Sequence, residues 1–291
     1  MGSSQDNFLQ LQRSWSAYEK KLHDRLWEKH GHILSPMQQL VRHVVAGSLA
    51  ILLSVTQPAA TAILAEAITP DATPEVTHHS PEQLRERLQS SLPLQVNQLT
   101  PDQEMQVEHV LSEFFGMKVS AELNGMRLNR SYGYIGAEQH LMRFAGDTIL
   151  SHFATDEEFQ KFSASGMAPG RGAWGYFAPS FEEMTQQDVE REKYYIAVQT
   201  FLSPGWGERT QEMYNFFKFR KMLMVNPENG KAMVVVIGDA GPAEWTGKHL
   251  GGSPEVMRYL ERVDGAQKGP VVYMFIDDPE NRVPLGPVQS K

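Results

Sequence analysis

The chain changes texture three times. Residues 1–43 are mostly polar, and Leu22, Leu26 and Trp27 are spaced to share one helical face among Lys20, Lys21, Arg25 and Lys29. Residues 44–65 read VVAGSLAILLSVTQPAATAILA, with no charge. After a Pro- and Thr-rich stretch, TPDATPEVTHHSP, Thr100 and Gln103 are spaced as a capping box for a helix. Met105, Val110, Leu111 and Phe114 give that helix an apolar face, and Phe115-Gly116 ends it. From Lys118 onward, short apolar runs alternate with glycine turns. They predict strands at Lys118–Leu123, Tyr194–Leu202, Lys221–Val225, Ala232–Ile237 and Val271–Ile276. Asn226-Pro227-Glu228-Asn229-Gly230 has the composition of a tight turn joining two of them. Further on, Ser253, Pro254 and Glu255 make a helix start, with Val256, Met257 and Leu260 facing inward.

These patterns divide the chain into a helical leader (1–43), a membrane anchor or export signal (44–66), a linker with an amphipathic helix (67–117) and a mainly β domain with an N-terminal extension (118–291). The uncharged stretch meets the roughly 20 residues a bilayer span needs. Arg42 and the basic leader put the N-terminus inside and everything after Glu66 outside the cytoplasm. Gln57-Pro58 interrupts the run, and Ala60-Thr61-Ala62 has the form of a cleavage site, so removal as a signal is the alternative.

The 291 residues include no cysteine, which excludes disulfides and thiolate metal sites. A formal charge of -8 argues against nucleic acid as a partner. No phosphate-binding loop and no Gly-x-Ser-x-Gly elbow occurs. No cofactor and no bound metal is expected.

Residues 221–260 read KMLMVNPENGKAMVVVIGDAGPAEWTGKHLGGSPEVMRYL. The order is strand, Asn-Gly turn, strand, Asp239-Ala240-Gly241-Pro242, Gly247-Lys248, then a helix led by Ser253 and reaching Leu260. It resembles the six-stranded double-psi β-barrel of rare-lipoprotein-A-like lytic transglycosylases, the related 3D domains and expansins. Gly172-Ala173-Trp174-Gly175-Tyr176-Phe177 is similar to the opening strand of such barrels. The resemblance implies a peptidoglycan partner and lytic transglycosylase-like cleavage, or else expansin-like wall loosening without catalysis. Gly251 stands where the family carries its second aspartate.

A lytic transglycosylase needs one carboxyl group, because the sugar's own hydroxyl is the nucleophile. Asp239 is the candidate, with Glu244 assisting. Trp245, Trp174 and Tyr176 are candidates to stack on sugar rings, with Lys248, His249 and Ser253 as further substrate contacts. Glu138, His140 and Asp147 form a second constellation. The His140-x6-Asp147 spacing matches part of a zinc peptidase site, but no Glu-x-x-His element follows at the needed spacing. Those three residues are therefore expected to form a hydrogen-bonded cluster, and His152 to be incidental.

Overall fold

The computed structural model of the chain describes residues 80–262 and 268–291. The leader, the uncharged stretch 44–66 and the linker up to His79 lie outside the described residues. Among the described residues no helix is long and apolar enough to cross a membrane.

Six strands close into a barrel: β4 (Tyr132–Ala137), β5 (Tyr195–Val198), β6 (Lys221–Val225), β7 (Ala232–Ala240), β8 (Leu250–Gly252) and β9 (Lys268–Ile276). The ring runs β4-β8-β5-β7-β6-β9 and returns to β4. Two neighbours are parallel, β4 with β8 and β5 with β7, and the other four pairs are antiparallel. Closure leaves no open sheet edge in the ring. β1 (Val119–Ser120) extends the sheet beside β9, and β10 (Gly286–Val288) beside β7. β2 (Glu122–Leu123) and β3 (Met126–Arg127) form a small separate hairpin.

The long apolar runs follow from burial on both faces of the barrel wall. Met222 and Met224 point inward with Val235, Ile237, Tyr273 and Phe275. Their neighbours Leu223, Val225, Val234, Val272 and Met274 face a second core outside the barrel. That core is roofed by α1 (Pro81–Ser91) and α2 (Pro101–Phe115), through Leu84, Leu88, Val107, Leu111 and Phe114. Sequence placed the linker up to Pro81 and predicted α2; α1 is an addition, capped by Ser80 with Gln83 closing a capping box. α2 begins as expected at Thr100 and Gln103, but Met105 is exposed, and Val107 takes its place on the buried face. Buried Glu104 fastens α2 to the barrel side, accepting from Arg127 at 3.0 Å and from Ser131 at 2.7 Å.

The 226–230 turn is held by Asn226, which donates to Leu260 O at 2.8 Å and accepts from Arg262. Gly230 has φ +74°, and a Cβ there would lie 2.5 Å from Pro81 O, so glycine is required on two counts. Opposite α1 and α2, the barrel interior is plugged by α5 (Trp206–Phe217) and α6 (Pro254–Tyr259). Ser253 caps α6 as expected. Two of the six barrel strands, β4 and β8, were not among those predicted; each holds two glycines, and Ile135 is their one β-branched residue. Leu223→Ala empties a fully buried site between barrel and roof. A loss of about 2–5 kcal/mol is expected, read from urea unfolding monitored by tryptophan fluorescence.

Candidate functional site

Asp239 lies at the far end of β7, where the register against β5 shifts between Ile196 and Ala197. The shift leaves Asp239 paired with Ala197, on the outer face of the wall, while Ile196 and Ile237 stay in the core. Asp239 Oδ1 accepts two backbone N–H bonds, from Ala173 at 2.6 Å and Ala240 at 2.8 Å. No hydrogen bond reaches Oδ2 from any described residue. Burial pushes the carboxyl above the usual Asp range, only partly offset by those two N–H groups.

Ala197 also pairs with Gly251 on β8, and Gly251 with Gly136 on β4. Gly251, Ala197 and Asp239 therefore stand in one row across three strands, placing Asp239 roughly 10 Å from Gly251. The space above Gly251 is filled. A Cβ there would lie 2.2 Å from Cγ and Oε1 of Glu138. Glu138 follows β4, and its N–H donates to Gly252 O at 2.9 Å. Its carboxylate bonds Lys248 Nζ at 2.7 Å, and the same ammonium donates to Ala137 O at 3.1 Å. Glu138 thus places a carboxylate over the position where the resemblance expects an aspartate on β8.

The loop between β7 and β8 carries most of the other predicted residues. Buried Gln199 supports it, donating to Pro242 O at 3.0 Å and Lys248 O at 3.3 Å. Trp245 is 89 % exposed on this loop, and Glu244 next to it is exposed. His249 stacks on Tyr134 and accepts the Tyr134 N–H at 2.9 Å. Burial and nearby Arg130 bring its imidazole down to about 4, so it stays neutral near pH 7. Trp174 is 4 % exposed and packs edge-on against Tyr214, within the core. Tyr176 is half-buried. Ser253 is fully buried, caps α6 and donates to Lys193 O at 2.5 Å.

The second predicted constellation divides. Glu138 joins Lys248 over Gly251, whereas His140 and Asp147 enter a buried cluster with Arg143, His152 and Glu192. Glu192 sits in the last turn of α4 (Gln186–Lys193). Its Oε1 lies 3.2 Å from His140 Nδ1 and accepts the Leu141 N–H at 3.0 Å. Its Oε2 lies 3.3 Å from His152 Nδ1. The other nitrogen of His152 faces Asp147 Oδ2 at 2.9 Å, and Asp147 is bonded further by Arg143 Nε at 3.0 Å and Ser151 Oγ at 2.5 Å. His152, expected to be incidental, is the hub. Burial alone would raise both carboxyls; the imidazoles bring Glu192 down to about 2, and His152, Arg143 and Ser151 hold Asp147 well below its usual range. Burial works against a charged His152, but Asp147 and Glu192 carry its pKa upward on balance.

This cluster governs the approach to Asp239. The His140 N–H donates to Gly166 O and the Ala168 N–H to His140 O. Phe177 and Ala178 N–H both donate to Arg143 O. Residues 168–177 form a loop tied at its base to the 140–143 run, and from it Ala173 reaches Asp239. Gln199 and Glu192 were not singled out in sequence, because each acts on partners far along the chain.

No protein-family model matches the chain, and a search of curated proteins finds no match. The fold establishes a closed six-stranded mixed β-barrel with short helices.

Gly251→Ala pushes a methyl group into Glu138. A destabilisation of about 1–3 kcal/mol is expected. Adding Glu138→Ala in the same chain should recover most of it. A thermal-melt double-mutant cycle measures this, and additive losses would show that the two positions do not compete for one space.

Proposed function

We propose that this barrel is of the double-psi class and acts on peptidoglycan or a related glycan outside the cytoplasm, cleaving it in the manner of a lytic transglycosylase. One observation carries the reading: Asp239 has one oxygen clamped by two backbone N–H groups and the other without a partner, at one end of a row whose far end holds the Glu138 carboxylate. The interlocked strand order supports the barrel class, since β8 lies between β4 and β5, and β5 lies between β8 and β7.

In this mechanism the protonated Asp239 gives its proton through Oδ2 to the glycosidic oxygen as the bond breaks. The resulting carboxylate then takes the proton of the sugar's 6-hydroxyl as that oxygen attacks the anomeric carbon. Burial of Asp239 favours the acid form that the first step needs. The clamp on Oδ1 leaves the acid no freedom to rotate away. Glu138, oriented by Lys248, supplies negative charge for the oxocarbenium-like transition state, the part that Gly251 cannot play. Trp245 offers a stacking face for an adjoining sugar, with Lys248 and His249 on the same loop for polar groups of the glycan. Residues 44–66 would tether the domain to the membrane or direct its export.

The test is digestion of purified peptidoglycan by the full chain, with anhydro-sugar products followed by mass spectrometry. Asp239→Asn should cut turnover about 10²–10⁴-fold. Because the pKa of Asp239 is raised, the active acid form persists to higher pH than for a free Asp, and kcat should fall as pH climbs through that value. An unchanged rate in Asp239→Asn would overturn the assignment. Binding of peptidoglycan with no products, equal in wild type and variant, would instead favour the expansin-like reading, for which the exposed Trp245 is the supporting feature.

A further inference from the structure

We infer that His140, His152 and Glu192 form a buried three-ligand zinc site that locks the base of the 168–177 loop. One ligand atom from each residue lies within 4.8 Å of the others, and all three side chains are buried.

The spacing suits a shared metal as well as it suits hydrogen bonds. The contacts of Glu192 with His140 Nδ1 and His152 Nδ1 are 3.2 and 3.3 Å. Ligands bound to zinc at 2.0–2.1 Å in a tetrahedron stand about 3.3 Å apart. His152 Nδ1 and Nε2 of the fully buried His140 have no hydrogen bond of acceptable geometry. Such atoms are costly to leave unsatisfied in a dry interior. His152 is also prepared for metal binding. Asp147 faces its Nε2 at 2.9 Å, which would fix the proton there and leave the Nδ1 lone pair toward Glu192. Asp147 is itself held by Arg143, the arrangement that commonly stiffens a ligating imidazole.

The charges agree. Arg143 neutralises Asp147, while no Lys or Arg among the described residues bonds Glu192. Close by, on α6, Glu255 Oε2 is buried without a partner. A divalent cation would add positive charge between Glu192 and the unpartnered Glu255. Two imidazoles and a carboxylate are a donor set that zinc favours. Enclosure by protein makes this a site that holds structure, with no open face for a peptide substrate. It draws together the start of the loop segment at His140, the 149–152 turn and α4. The proposal is independent of what the barrel does to glycans.

The test uses the full chain, dialysed with zinc, passed over chelating resin and analysed by plasma mass spectrometry. One tightly held zinc per chain is expected, lost in Glu192→Gln and in His152→Asn. Stripping wild type with a strong chelator should lower the melting temperature by about 5 °C or more, and zinc should restore it. Cobalt(II) loaded into wild type should give visible bands of tetrahedral intensity, which report the ligands even if a variant fails to fold. Two results would overturn the site: folded wild type that holds no zinc and gains no stability from it, or zinc kept at full stoichiometry by both variants, which would place it elsewhere on the chain.

Discussion

Glu192 and Asp147 bring two carboxylates into a region with almost no access to water, and the order of the surrounding chain follows from how they are satisfied. Moving such charges out of water costs several kcal/mol each unless well-placed partners recover it. Here the partners come from separated stretches: His140 and Arg143 after β4, His152 from the next turn, and Glu192 itself from α4. The partners are supplied by three segments, whose docking brings them together. Once docked, the backbone of His140 and Arg143 has fixed places to offer hydrogen bonds, and the 168–177 loop is strung between them. Its Ala173 N–H then has only a short reach to Asp239. A charge requirement in the interior thereby sets the position of a carboxyl on the surface of the barrel.

The barrel supplies the other half of that geometry. Because the wall is buried on both faces along β6, β7 and β9, its register is fixed strongly; a slip by one residue would exchange the interior core for the outer one. Where β7 runs past that double burial it bulges, and the bulge turns Asp239 outward. The doubly buried part of the wall thus ends where Asp239 turns outward.

Those rigid strands were legible in the sequence. Lys221–Val225 and the start of β7 at Ala232 emerged at their observed bounds, since continuous runs of Val, Met and Leu admit few other readings. The caps at Thr100 and Ser253 were legible for the same local reason. Tyr132–Ala137 and Leu250–Gly252 were not. They hold two glycines each and a single β-branched residue, Ile135, with pairing that comes from neighbours rather than from their own propensity. Trp174 illustrates the converse error: an aromatic in a glycine-rich stretch suggests a binding surface, yet it lies in the core against Tyr214.

Missing β4 and β8 had a consequence for chemistry as well as for fold. The resemblance expects an aspartate where Gly251 stands, and along the sequence that position carries no acid. In the barrel, β4 and β8 run parallel and adjacent, so a side chain leaving the end of β4 can enter the space over β8. That space exists only because position 251 has no Cβ, and it is bounded by the Lys248 ammonium, which favours a carboxylate over any neutral group. Glycine and Glu138 therefore form one unit. The small residue makes room, the neighbouring strand provides the acid, and the lysine fixes its orientation. On the proposed reading Glu138 brings a carboxylate to the end of the row opposite Asp239, and only the strand pairing shows it.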